Sequence, residues 1–369
     1  MNLAKKVMKS WINGIALMAW TGFASASSDG LVNRPQNDVQ ELNHVVNQWI
    51  KDEVYPRASL LVVNNGQVII EKYWGMHRED QITNIASATK WLEVAAILTV
   101  VDEGKISLDA PIKSYLPELT GSAGQIKFRQ LLSHTSGLNQ IKYPPSCKTG
   151  IDMMAYLSAN PNLPPKIGTE FYYGATGLTM AAVILERATG QNIDKIFEEK
   201  IALPLGMSYT RIAGKYYEED IKRGLSVVPC SIMKDYIQFL IMLLNKGTHK
   251  DKRILSEKSI QEMFSDQVQG AKTPPDNYAT LARGNTKGVY GLGCWREAVN
   301  SQGDATIISS PGWSGFYPWI DLERNICGVF SAKVSDQFAF KWDVFHPMYK
   351  SASLVDLVNR NVNSSNKVE

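Results

Sequence analysis

After a polar stretch over residues 27–36, apolar residues return at Leu42, Val45, Val46, Trp49 and Ile50. That spacing marks one face of a 3.6-residue period and predicts an amphipathic helix starting at Asp38, as N-cap, and running to Ile50. Two β-branched and apolar runs, residues 59–63 and 67–74, flank Asn64-Asn65-Gly66 and predict a hairpin with an Asn-Gly turn. Residues 91–101 are apolar almost throughout, as in a helix buried on every side, and Gly104 ends it. Further helical periods cover residues 128–132, about 176–187, 192–201, 235–245 and 256–264. Residues 142–149 are irregular, and residues 271–287, polar with Pro and Gly, read as a mobile loop. From Gly288 the period shortens to that of strands: 291–296, 306–310, 315–320 and 326–331, with a closing helix over 338–358. Strands at both ends and helices between them predict an α+β fold in which the two ends build one antiparallel sheet around a helical insertion.

Composition sets few limits. The chain has 369 residues, 44% hydrophobic and 20% charged, which is ample for a large core. Residues 1–26 read as a secretory signal: Lys5, Lys6 and Lys9, then an apolar run, then Ala24-Ser25-Ala26. Its loss would remove three lysines and bring the formal charge from +3 to zero, so the basic balance carries no case for nucleic acid. A periplasmic or secreted protein without a membrane span after cleavage is expected. Cys147, Cys230, Cys294 and Cys327 show no C-x-x-C or zinc spacing, so no metal or other cofactor is implied. Buried thiols and one disulfide are equally open.

Ser87 and Lys90 lie three residues apart at the start of the apolar helix, one turn from each other on a shared face. A lysine desolvated at a helix N-terminus can lose its proton and serve as a base toward a serine hydroxyl. The pair has the form Ser-x-x-Lys. Around it stand five more blocks, in order: Gly104-Lys105-Ile106-Ser107-Leu108-Asp109, Leu131-Leu132-Ser133-His134-Thr135-Ser136-Gly137-Leu138, Phe171-Tyr172-Tyr173, Pro204-Leu205-Gly206-Met207 and Gly312-Trp313-Ser314-Gly315. Together these resemble the serine β-lactamase and penicillin-binding-protein-like hydrolases, most of all the class C β-lactamase-related group. That group also contains esterases, D-amino-acid peptidases and 6-aminohexanoate-dimer hydrolase. The resemblance runs from about residue 40 to 350.

With residues 1–26 read as a signal, the resemblance implies one catalytic domain over 27–369. Its sheet part would cover about 38–85 and 288–360, its helical part about 86–287. It makes Ser87 the nucleophile and Lys90 its activating partner, with Tyr173 in the tyrosine place of Tyr-x-Asn as a proton shuttle. Tyr172 is the competing register. The third motif, Lys/His-x-Gly, falls on Trp313-Ser314-Gly315, with Gly315 leaving room for substrate and the Phe316 N–H joining that of Ser87 in an oxyanion hole. Two departures stand out. Ala175 replaces the asparagine, and Trp313 replaces the cation that would meet a substrate carboxylate. Losing a charge-assisted partner costs roughly 1.5–3 kcal/mol, whereas an indole offers apolar area. These departures favour an exported esterase-like hydrolase of small esters or amides over an efficient β-lactamase. The alternatives are an amidase, D-amino-acid peptidase or oligoamide hydrolase of the same family, and a silent binding or sensor member. His134 belongs to a structural turn. His44, His77, His249 and His346 read as surface or packing residues, and Asp109 and Glu93 as charges on a solvated face or at a helix end. Trp295, Trp313 and Trp319 bracket the third motif and are candidates for a pocket wall.

Overall fold

The structure is a computed structural model that describes residues 36–164, 166–212, 228–338 and 346–365. The predicted signal segment lies outside the described residues. In chain order the main elements are α1 (Gln36–Lys51), β1 (Ala58–Asn64), β2 (Gln67–Trp74), α2 (Thr89–Asp102), α3 (Thr176–Thr189), α4 (Met233–Leu244), α5 (Tyr278–Arg283), β3 (Trp295–Val299), β4 (Ala305–Ser309), β5 (Phe316–Asp321), β6 (Ile326–Ala332) and α6 (Pro347–Ser365). The six strands form one sheet in the order β2-β1-β6-β5-β4-β3, with every neighbour antiparallel. The α+β fold expected from the sequence is the fold observed.

Period two explains the layers. On β1, Leu60 and Val62 enter one core cluster, while Leu61 and Val63 enter the other. On β6, Ile326 and Phe330 face the first cluster, and Cys327 and Val329 the second. The first cluster also contains Leu42 and Val46 of α1 and Leu354, Val355 and Val358 of α6. The second holds most of α2 and α4. The sheet is therefore buried on both faces, which is why its middle strands read as unbroken apolar runs. Helix α2 is buried from Trp91 to Val100 except at Glu93. Each large side chain so buried contributes about 1.5–3 kcal/mol.

Several predicted boundaries hold. Asn65 and Gly66 take φ of 48° and 77°, as the two-residue hairpin turn requires. Gly104 (φ 73°) ends α2, and Gly190 (φ 72°) ends α3. Others shift. Helix α1 begins at Gln36, so Asp38 lies inside its first turn rather than at the N-cap. Residues 292–294 bend, and the strand starts only at Trp295. The closing helix begins at Pro347, and the part of the prediction over 339–345 lies outside the described residues. Residues 271–287 are not a bare loop. They contain α5, capped by the Asn277 side chain on the Thr280 N–H (3.2 Å), with Tyr278 buried. No disulfide joins the four cysteines, and no described helix is long and apolar enough to cross a membrane.

Candidate active site

The turn that carries Ser87 is strained and clamped. Ala86 sits at φ 43°, a left-handed conformation unfavourable for a residue with a side chain. Asn84 holds it there by accepting the Ala86 N–H on Oδ1 at 2.8 Å. The Thr89 hydroxyl donates to the Ala86 carbonyl at 2.6 Å, and the Tyr236 hydroxyl to the Ala88 carbonyl at 2.8 Å. Ser87 therefore occupies a short 3-10 turn, Ala86–Ala88, directly ahead of α2. One turn along, Lys90 Nζ donates to Ser87 Oγ at 3.2 Å.

The same ammonium lies 5.0 Å from the centroid of the Tyr173 ring. Lys90 thus meets the π face of Tyr173, a cation–π contact, rather than its hydroxyl. Tyr173 is fixed by a stack on Trp295 (5.2 Å, 28°) and by His134 at 4.7 Å. The adjacent Tyr172 is exposed and lines the same cleft from the rim. Asn139 pins this loop by donating to the Tyr172 carbonyl (2.8 Å) and accepting the Thr176 N–H (2.9 Å). Ala175, where the asparagine was missed, is exposed.

Trp313, Ser314 and Gly315 form a tight turn, and the strand itself starts at Phe316. Gly315 takes φ 109°, and an added Cβ would meet the Ala332 carbonyl oxygen at 2.8 Å. Glycine is therefore required here by the turn and by contact with β6, not by room for substrate. The residue that lets the two motifs touch is Gly312, where a Cβ would stand 2.1 Å from the Ile85 oxygen. The Gly312 N–H donates to the Phe316 carbonyl at 2.7 Å. Because N–H and C=O of one strand residue point the same way, the Phe316 N–H also faces this turn, away from β6. The Ser314 hydroxyl bonds the Asn84 carbonyl at 2.5 Å, and the Ser310 hydroxyl the Ser87 carbonyl at 3.3 Å. These contacts lock the start of β5 onto the serine turn.

Ser87 opens into a cleft of about 440 Å³ whose walls include Tyr173, Tyr278, Trp295, Trp313 and Tyr349. Of the three tryptophans considered, Trp295 and Trp313 line it. Trp319 does not; it is fully buried, stacked on Tyr317 at 5.6 Å. Tyr278 and Tyr349 were missed, though Asn277 ahead of an apolar period was a legible helix start. Behind the wall, the buried Glu297 accepts hydrogen bonds from Tyr278 (3.0 Å), Tyr317 (3.0 Å), Arg283 Nε (2.9 Å) and Ser309.

His134 is buried, with Nε2 3.2 Å from the Tyr290 hydroxyl. Burial, and then the charge of Lys90, push its imidazole down to about 3. It is neutral packing behind Tyr173, as the structural reading expected. Asp109 is exposed and paired with Arg129 (2.9 Å), which holds its carboxyl below the usual range. Glu93 is not on a solvated face. It is half-buried in a second cleft of about 350 Å³ beside Lys90 and Ala175. Burial raises its carboxyl to about 7, against the lowering effect of Lys90 and with a further rise from Asp194. His44 is exposed; His77, His249 and His346 are buried. No group of three or more His, Cys, Asp or Glu among the described residues is placed to hold a metal ion.

The sequence profile of the family described as Beta-lactamase matches residues 42–341. The chain belongs to this beta-lactamase family. It is accordingly a serine hydrolase, in a family that includes esterases and amidases. Protein Rv1367c of Mycobacterium tuberculosis is 30% identical over 320 residues, covering 72% of this chain and 78% of its own. Esterase EstB of Burkholderia gladioli is 27% identical over 196 residues, 45% of this chain; that match spans about half, 49%, of the esterase. Among solved structures, a protein of Bacteroides dorei DSM 17855, provisionally described as a beta-lactamase, superposes with a TM-score of 0.79 at 33% identity. It covers 90% of this chain and 100% of its own.

Proposed function

We propose that this beta-lactamase-family protein is an esterase-type hydrolase that works through an acyl-enzyme on Ser87. The observation that carries the reading is the 3.2 Å contact of Lys90 Nζ with Ser87 Oγ at the floor of an aromatic cleft. In the first step, with Lys90 as the neutral amine, Ser87 Oγ bonds to the carbonyl carbon and its proton passes to the Lys90 nitrogen. The leaving oxygen departs and takes up that proton from Lys90. The Ser87 and Phe316 N–H groups hold the oxyanion. In the second step water, with Tyr173 as base, displaces Ser87 and releases the acid.

The cleft walls favour apolar and aromatic groups beside the scissile bond. With Trp313 in the cation's place, a β-lactam carboxylate next to that bond lacks its charged partner, which supports ester over β-lactam hydrolysis. Export through residues 1–26 belongs to the same reading, and the intact mass of the protein recovered from its native cell tests it. For the reaction, a panel of 4-nitrophenyl esters, D-amino amides, linear oligoamides and a penicillin is compared in wild type and Ser87→Ala. Ester turnover and fluorophosphonate labelling that vanish in Ser87→Ala are expected. Penicillin turnover matching the best ester would reject the esterase preference, and an unchanged signal in Ser87→Ala would reject the nucleophile.

A further inference from the structure

A third cleft, of about 230 Å³, lies on the other side of the Trp313 turn. The sheet register explains what lines it. Ala58 on β1 pairs with Ala332 on β6 and with Trp74 on β2. The next residues outward, Arg57, Lys333 and Gly75, therefore sit together at one end of three adjacent strands. Gly75 packs so tightly on Arg57 that an added Cβ would lie 3.3 Å from the Arg57 Cα. Two residues on, His77 is brought beside Arg57. Trp313 and Ser314 close the cleft, the latter tied to this edge by the Val334 N–H on its carbonyl at 2.9 Å.

Three basic side chains thus line one cleft, two of them, Arg57 and Lys333, charged. Neither Arg57 nor Lys333 has an ion-pair partner among the described residues; Lys333 and the one acid lining the cleft, Asp336, are both exposed. His77 is only 7% exposed, yet neither ring nitrogen makes a hydrogen bond. The Arg78 backbone lies close enough to favour the charged ring slightly, without forming a hydrogen bond. A buried imidazole with both nitrogens unsatisfied is costly unless something absent from the free protein completes it. Burial, followed by the charge of Arg57, lowers its titration to about 4, so it is neutral and offers one N–H. An arginine fork, an ammonium and an imidazole N–H are the donor set of an anion site.

We infer that this cleft is a carboxylate subsite of the same enzyme, holding the anionic end of a substrate whose scissile carbonyl lies at Ser87, with Trp313 as the wall between them. The inference rests on the acyl-transfer reading for its link to Ser87, and it extends that reading. The cation absent from position 313 is supplied from the far side of the indole. A carboxylate several atoms removed from the scissile bond is accepted, whereas one fixed beside it is not. The substrate class is then a monoester or monoamide carrying a remote carboxylate.

The test has two arms. In the first, kcat/KM is measured for 4-nitrophenyl valerate, mono-4-nitrophenyl glutarate and a butyrate ester of a carboxylated phenol, in wild type, Arg57→Met and Lys333→Met. One carboxylated ester should be preferred over the neutral one, and Arg57→Met should lower that preference about tenfold. The second arm needs no turnover. Histidine-labelled Ser87→Ala protein is titrated with glutarate and, separately, with inorganic phosphate, and the His77 ring signals, assigned by their loss in His77→Gln, are followed by NMR. Glutarate should move them, and Arg57→Met should abolish the movement. Signals that stay in place under glutarate, or that move only with phosphate, overturn the carboxylate site. Signals that move without any substrate preference overturn its link to Ser87. Absence of any ester turnover in the wild type, with the shift intact, sinks the acyl-transfer reading and the link to Ser87, leaving the anion site standing.

Discussion

Replacing Gly312 by alanine is the sharpest probe of how the serine turn is held. The new Cβ would stand 2.1 Å from the Ile85 carbonyl oxygen and 3.4 Å from the Ala86 Cβ. Relief requires the start of β5 and the Ile85–Ser87 segment to part by on the order of 1 Å, because the packed interior offers no slack. Overpacking of this kind costs about 1–3 kcal/mol of stability. Its effect on rate is larger, since a misplacement of about 1 Å between reacting groups costs about 100-fold. The Phe316 N–H moves with β5, while Ser87 moves with the turn. The assay is kcat/KM on a 4-nitrophenyl ester alongside the urea midpoint. Gly247→Ala serves as control, because its Cβ would meet the Leu255 oxygen at 2.2 Å, far from the serine. That variant should lose stability, with a much smaller loss of rate. A Gly312→Ala enzyme within twofold of wild type, or a Gly247→Ala enzyme equally crippled in rate, would refute the reasoning.

Three further outcomes follow from the site. Glu297→Ala leaves Arg283 and two tyrosine hydroxyls without their buried acceptor, so the urea midpoint should fall by the equivalent of about 3–5 kcal/mol, and KM should rise as Tyr278 loosens; an unchanged midpoint would show the network to be ornamental. Tyr173→Phe keeps the ring under Lys90 but removes the hydroxyl, so kcat should drop about 100- to 10,000-fold with the fold intact; full activity would strip Tyr173 of its proton-transfer role. Glu93 is raised on folding to about 7, so the folded chain holds this proton more tightly than the unfolded one. Stability from this group therefore falls as pH climbs from the ordinary carboxylate range through about 7. Glu93→Gln cannot ionise, and its unfolding midpoint should gain on wild type between about pH 5 and about pH 8; parallel curves would dispose of this account.

Much of the fold was legible because it rests on local rules. The Asn65-Gly66 turn, the buried α2 and the glycine stops after α2 and α3 follow from period and backbone preference alone. The Ser87–Lys90 contact follows from helical spacing. What escaped depends on partners distant in sequence. Gly315 was placed on a strand, because only its contact with Ala332 shows that the chain turns there. Glu297 looks like any strand carboxylate until Arg283, Tyr278 and Tyr317 surround it. Residues 271–287 were read by their prolines and glycine, which outweighed the weaker cap at Asn277. Arg57, His77 and Lys333 share no motif, and the register of three strands alone unites them.

The pairing of β1 with β6 also has a bearing on biosynthesis. Ser59 and Ser331, hydrogen-bonded across that pair, are separated by 272 residues. During synthesis β1 emerges with only β2 to pair with, and its other edge stays open until β6 has been made. The sheet, and with it the placement of β5 against the serine turn, can close only late, so topology of this kind folds slowly. A nascent chain stalled before β6 would present an apolar, unpaired strand edge to its neighbours, and β5 would lack the strand that holds it against the serine turn.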